Sequence, residues 1–150
     1  MVKKIVIGAD HRGFALKEQI KMTLARNKDY EIDDVGCFSE TSCDYPDYAR
    51  EVAKKIQNGQ AQWGILICNT GIGMSIAANR FKGIRAALCL TPEVARQARR
   101  HNDANVLVLA SQSTTPQDAL KIIDAWNSEI FEGGRHLRRI QKIDELSTNG

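Results

Sequence analysis

The sequence predicts an α/β fold: one Rossmann-like, doubly wound sheet of five parallel strands in a single domain, with an extra helix at its C-terminal end. Three observations predict it. Short apolar runs recur at residues 3–9, 30–35, 63–68, 85–90 and 105–110. Segments with helical spacing of apolar residues lie between them. Two of those segments open on Thr-Pro, at Thr91-Pro92 and Thr115-Pro116, a start signal that combines an N-cap hydroxyl with a proline in the first turn. Strands that alternate with helices need parallel crossovers, which place helices on both faces of one sheet.

The elements follow in order. KKIVIGA, residues 3–9, reads as a buried strand, and Asp10-His11-Arg12-Gly13 turns the chain. A helix follows to about residue 26, with Phe14, Leu16, Ile20, Met22 and Leu24 mostly inward. Residues 30–35, YEIDDV, form a more polar strand suited to an edge. A loop rich in Ser, Thr and Gly spans 36–46, long enough to suggest a functional role. Residues 47–57 form an amphipathic helix that closes near Asn58-Gly59, and 63–68 the third strand. A helix covers 73–81, where Ala77 and Ala78 permit close packing. The fourth strand at 85–90 leads into the Thr91-Pro92 helix, and the fifth at 105–110 precedes a helix that runs to about residue 129. After Gly133-Gly134 a last helix spans 135–146.

Bulk composition narrows the possible partners. A chain of 150 residues fits one domain over 1–150. Twenty-one basic against 18 acidic residues leaves +3, too weak a bias to argue for a nucleic-acid or membrane partner. No apolar run approaches the roughly 20 residues of a membrane span. The N-terminus enters a strand almost at once and lacks a secretory core, so the chain reads as cytoplasmic. Cys37, Cys43, Cys68 and Cys89 include no C-x-x-C pair and are expected as thiols.

In doubly wound sheets ligands bind outside the carboxyl ends of the strands. That rule selects Asp10, His11 and Arg12 after the first strand, Cys68, Asn69, Thr70, Gly71, Ile72 and Gly73 after the third, and Ser111-Gln112 after the fifth. His101-Asn102 ends a helix before the fifth strand, and its side of the sheet stays open. The turn Thr70 to Gly73 precedes a helix N-terminus, which can hold a phosphate or a developing oxyanion, or simply let a helix pack close. It is neither G-x-G-x-x-G nor a P-loop. Cys68 at its mouth is either a base or a plug at the strand end. The three histidines show no metal-ligand spacing, so no metal site is expected. Arg135 and Arg139 share one face of the last helix, as two forks for a phosphate would. Its stripe of Leu137, Ile140, Ile143 and Leu146 must pack on this domain or on a second subunit.

Over its full length the chain resembles the type B ribose-5-phosphate isomerases, a sugar-phosphate isomerase family that includes galactose-6-phosphate isomerase subunits. The resemblance rests on GADHRG (8–13), DYP (44–46), CNTGIG (68–73), SIAAN (75–79), GIRA (83–86), RHNDAN (100–105) and GGRH (133–136). It implies interconversion of ribose 5-phosphate and ribulose 5-phosphate without cofactor or metal. It also implies a homodimer or homotetramer with its sites at the subunit interface. Carried over by position, Cys68 moves a proton between C2 and C1, Thr70 assists transfer between the sugar oxygens, and Asn69 to Gly73 stabilise the enediolate. His101 opens the furanose ring, Asp10 and Asn102 hold hydroxyls, and Tyr45 lines the pocket. His11, Arg135 and Arg139 hold the phosphate. The chain departs from the family pattern at Asn69, where glycine is usual and a side chain is expected either to narrow the pocket or to demand an unusual backbone angle, and at Gln112, where some members carry arginine. Met74 stands where one branch has a glutamate base, so the cysteine branch is the better match. Two other readings stay open: the same machinery acting on a six-carbon aldose phosphate, and a phosphosugar-binding module without catalysis.

Overall fold

The computed structural model describes residues 2–146. Strands β1 (Lys3–Ala9), β2 (Tyr30–Gly36), β3 (Trp63–Cys68), β4 (Ala86–Leu88) and β5 (Val106–Ala110) alternate with helices α1 (Phe14–Leu24), α2 (Tyr45–Gln57), α3 (Ile72–Ala78), α4 (Pro92–Asn102) and α5 (Pro116–Asn127). Helix α6 (Arg135–Leu146) follows. The strands form one sheet in the order β2-β1-β3-β5-β4, and every pairing is parallel. The fold is therefore the doubly wound sheet expected, with one detail the sequence does not announce: β5 inserts between β3 and β4, which leaves β4 at an edge.

Side chains of adjacent residues alternate between the two faces, as strand geometry requires. Ile5, Ile7, Ile65, Ile67, Leu107 and Leu109 pack with α1, α4 and α5, while Val6, Leu66, Cys68, Val106 and Val108 pack with α2 and α3. The central strands are apolar over Ile5–Ala9, Ile65–Cys68 and Val106–Ala110, where both of their faces are covered.

Several boundaries differ from expectation. Helix α2 starts at Tyr45, two residues before the predicted 47, because Pro46 sits in its first turn where a missing N–H costs nothing. Strand β4 keeps only Ala86–Leu88 of the predicted 85–90, since an edge strand has one neighbour to hold it. Helix α3 stops at Ala78, and turn bonds from Arg80 to Ala77 and from Phe81 to Ala78 replace its predicted last turn. The Thr91 and Thr115 hydroxyls accept hydrogen bonds from the Val94 and Asp118 N–H groups, as their sequence signals predict.

A buried ion pair ties α1 to β2. Lys17 is fully buried, and its Nζ lies 2.7 and 2.6 Å from the two carboxylate oxygens of Asp34. Lys21 Nζ reaches Asp34 Oδ2 at 2.6 Å, and the Gly36 N–H donates to Oδ1 at 2.9 Å. Burial alone would raise the Asp34 carboxyl, but the Lys17, Lys21 and Gly36 hydrogen bonds outweigh it and hold the group below its usual value. The Asp34 cluster thus fixes the end of β2 from which the 37–44 loop departs.

Candidate active site

The carboxyl edge of the sheet gathers residues from three strand ends and one loop. After β1, Asp10 is buried, and its Oδ1 accepts from the Arg12 and Gly13 N–H groups at 3.0 Å each. Asp10 N donates to Ile67 O at 3.2 Å, so the turn is bolted to β3 one residue before Cys68. Gly13 closes that join: a Cβ there would meet Ile67 O at 2.5 Å. His11 is half-buried, and its Nδ1 accepts from Cys43 N at 3.2 Å, which draws the 37–44 loop over the turn.

The backbone around Cys68 is held from β5. Ser111 N donates to Cys68 O at 2.9 Å and Gln112 N to Asn69 O at 3.0 Å. The Asn69 and Gln112 side chains bond each other at 3.2 Å, so the two positions that depart from the family pattern form one pair. The predicted unusual backbone at Asn69 is not found: Asp103 is the non-glycine residue with positive φ among those described. Positive φ falls instead on Gly71, at 77°, where a Cβ would lie 2.4 Å from Leu88 Cδ1. Thr70 Oγ1 accepts from Ile72 N at 3.2 Å and so braces the turn into α3. The Tyr45 ring lies across Gly73, whose added Cβ would sit 2.6 Å from Cζ of that ring.

Cys68 is 5% exposed and faces α2 and α3, among Val6, Leu66 and Met74. A cavity of about 400 Å³ opens at the same strand ends but on the α1 and α5 side. Arg12, Gln19, Asn69, Ser111 and Gln112 line it, and Cys68 does not. Cys68 therefore packs on the other face of the sheet and does not open into that cavity. Cys37 and Cys89 are buried free thiols, and burial pushes the Cys89 thiol up to about 12.

His101 and Asn102 occupy the other edge. Helix α4 leaves the carboxyl end of β4 and returns the chain to the start of β5, so its last turn lies below the sheet. Cys68 pairs with Ala110 at the far end of β5. The two sites are separated by at least the length of that strand, about 13 Å at 3.3 Å per residue. Arg135 and Arg139 are exposed on α6, which packs on α4 at this same lower edge. The predicted residues thus form two groups in one chain: Asp10, His11, Tyr45 and Cys68 to Gly73 above, and His101, Asn102, Arg135 and Arg139 below.

The lower group holds an arrangement that sequence reading missed. The His101 and His136 rings stack at 4.5 Å with 13° between their planes. Glu132 Oε1 lies 3.8 Å from His101 Nε2 and 3.5 Å from His136 Nε2. Burial, and then the neighbouring Arg135 and His101, push the His136 imidazole below its ordinary value. The three side chains are close enough to suggest metal ligands. However, imidazole lone pairs lie in the ring plane, and one ion cannot lie in two nearly parallel planes. The donor geometry therefore does not fit a metal as it stands. The signal available in sequence was Glu132 four residues before His136, joined by Gly133-Gly134.

A buried thiol, a braced hydroxyl and a glycine turn entering a helix thus stand together at the carboxyl edge of a parallel α/β sheet. The family model described as Ribose/Galactose Isomerase matches residues 5–143, and the chain belongs to that family. It is 46% identical to ribose-5-phosphate isomerase B of Escherichia coli (strain K12) over 97% of both chains. The ribose 5-phosphate isomerase structure from Thermotoga maritima superposes with a TM-score of 0.93 at 54% identity, covering 95% of this chain and 98% of that one. The Mycoplasma genitalium ribose-5-phosphate isomerase B structure with bound ribulose-5-phosphate gives a TM-score of 0.92 at 41% identity, covering 100% of this chain and 99% of its own.

Proposed function

We propose that the chain interconverts D-ribose 5-phosphate and D-ribulose 5-phosphate through an enediolate, with Cys68 as the base. The observation that carries the reading is the joint placement of the Cys68 thiol, the Thr70 hydroxyl and the Gly71–Gly73 turn at one strand end. The likeness to a relative's structure with ribulose-5-phosphate bound supports the choice of substrate.

The reaction needs four proton movements. His101 carries the anomeric O1 proton to O4 while the C1–O4 bond breaks, which frees the aldehyde. The Cys68 thiolate then removes the C2 proton, and charge passes to O1. Amide N–H groups in the first turn of a helix lack partners within it, and they stabilise this oxyanion where it forms. Thr70 passes the O2 proton to O1, and Cys68 returns a proton to C1, which leaves a ketone at C2. The slight exposure of Cys68 suits a base that touches one carbon and keeps water out. His11, Arg135 and Arg139 hold the phosphate, whose binding energy orients the reacting carbons.

His101 and Cys68 of one chain are too far apart to share a five-carbon sugar, so the site is completed by a second copy. The exposed apolar residues support this assembly. Ile72 and Ile76 on α3, Leu90 after β4 and Val94 on α4 are 42–57% exposed beside the edge strand. On α6, Ile140 is buried while Leu137, Ile143 and Leu146 remain open. Such a surface fits another copy of this chain. Asn102 and the two arginines would enter the partner's site together with His101.

Turnover measured across five- and six-carbon aldose phosphates tests the reading. Preference for ribose 5-phosphate supports it, and preference for a six-carbon sugar shifts it within the family. Cys68→Ala is expected to abolish isomerisation yet retain sugar-phosphate binding; undiminished turnover removes the base assignment.

A further inference from the structure

The chain between α5 and α6 is built to bring Glu132 and His136 onto the last turn of α4. Glu132 N donates to Arg100 O at 3.0 Å, which anchors the residue beside His101. Gly133 and Gly134 then adopt φ of 70° and 59°, a pair of left-handed residues that reverses the chain. His136 N donates to Gly133 O at 3.1 Å as α6 begins. The turn leaves Glu132 and His136 facing the same way, with His136 flat against His101.

Within this cluster the hydrogen bonding is incomplete. His136 is 7% exposed, and its Nε2 has no hydrogen-bond partner. A buried imidazole nitrogen that carries a proton and finds no acceptor is costly, so a small movement toward the Glu132 carboxylate 3.5 Å away is favourable. The same carboxylate oxygen lies 3.8 Å from Nε2 of His101, so the same small movement that serves His136 brings it within hydrogen-bond reach of both rings. A neutral imidazole carries its proton on one nitrogen and a lone pair on the other, and the group facing one nitrogen decides which. The other charges nearby do not displace Glu132 from this task. Arg100 is directed to Glu129 at 2.9 Å and approaches Glu132 Oε2 only at 4.0 Å, while Arg96 lies 3.9 Å from Glu129. Arg135 and Arg139 bear on His136.

We infer that Glu132 is a positioning residue for the ring-opening step: it holds the His101 proton on Nε2, so that Nδ1 presents its lone pair to the anomeric hydroxyl. His136 is the platform that keeps the His101 ring in the plane where this holds. Glu132 acts through His101 and touches no sugar. The inference rests on the assignment of ring opening to His101, and it adds the nitrogen that does the work and the residue that selects it.

The test uses Glu132→Gln, a same-sized change at a half-exposed side chain. Two-dimensional ¹H–¹⁵N spectra of the imidazole nitrogens report the tautomer with no sugar present. The wild type is expected to show His101 protonated at Nε2, and the variant a mixture. Ribulose 5-phosphate has no free hydroxyl placed to close a furanose, so solvent-hydrogen exchange at its C1 reads Cys68 without ring opening. Glu132→Gln is expected to leave that exchange unchanged. It should slow turnover of ribose 5-phosphate by about 10- to 100-fold, a part of the roughly 10²–10⁴ that a positioned acid–base group supplies. On a His101→Asn background the same change should add nothing, as expected of two residues that act as one unit. A His101 proton on Nδ1 in the wild type, or an unaltered tautomer in the variant, overturns the inference. Equal losses in exchange and in turnover also overturn it, because they mark a general structural defect. Failure of the wild type to turn over ribose 5-phosphate at all would strike the functional reading first, whatever the spectra show.

Discussion

Gly13→Ala sets two opposing effects against each other at the join between β1 and β3. Gly13 has φ of −92° and ψ of −7°, a conformation any residue adopts. On backbone freedom alone, alanine should therefore stabilise the protein by about 0.4–1 kcal/mol, through a less disordered unfolded chain. Against this, the new Cβ would stand 2.5 Å from Ile67 O and 2.8 Å from both Ile67 C and Cγ2. That carbonyl also accepts from Asp10 N at 3.2 Å and belongs to a central strand, so it cannot swing aside as a flexible side chain could. Forced overpacking costs about 1–3 kcal/mol, and a contact with backbone belongs in the upper part of that range. The clash wins, with a net loss of about 1–2 kcal/mol, which lowers Tm by about 2–8 °C for a chain of this size. Urea unfolding followed by circular dichroism measures it. Since Ile67 precedes Cys68, kcat should fall as well. A variant as stable as the wild type, or more so, would refute the packing argument and show that the strand end yields.

Asp34→Asn leaves the fully buried Lys17 ammonium with Glu18 Oε1, 3.4 Å away, as its remaining carboxylate. Breaking a buried pair costs about 3–5 kcal/mol, and the partial replacement places this one near 3. Chemical denaturation that shows less than 1 kcal/mol of loss would mean that Lys17 finds water. Because the folded Asp34 carboxyl lies below its unfolded value of about 3.9, it contributes stability that is complete above that pH and vanishes as pH falls through the lower folded value. The variant should lack this acid slope. Arg135→Ala should raise KM for the sugar phosphate more than it lowers kcat, and an unaltered KM removes the arginine from the phosphate site. Ile76→Asp places a charge on a residue that is 57% exposed in the single chain. Sedimentation should find it monomeric, and a dimer as tight as the wild type would exclude this face from the interface.

Much of this architecture can be read from local pattern. The run Ile5–Ile7 and the run Ile65–Ile67 are apolar on both faces, and that pattern alone marks central strands. Thr91 and Thr115 declare their helices through chemistry that acts within three residues. The order of β4 and β5 was hidden because it depends on packing between α4 and α5, which no local spacing encodes. In the candidate site, Cys68 to Gly73 are contiguous and stand out together. The pairing of Asn69 with Gln112 spans 43 residues, and that of His101 with Glu132 spans 31, so neither leaves a periodic trace. The side on which His101 lies could have been deduced, since a helix between two parallel strands must bring the chain back to the lower edge. That deduction alone separates His101 from Cys68.

The separation of these two residues within one chain carries a genetic consequence. If each sugar is served by Cys68 from one protomer and His101 from the other, a lesion at either position spoils both sites of a uniform dimer. A dimer that joins a Cys68→Ala protomer to a His101→Asn protomer concentrates both lesions in one site and leaves the other whole. Two inactive proteins should then rescue each other when unfolded and refolded together, and strong dilution, by parting the protomers, should silence even the wild type.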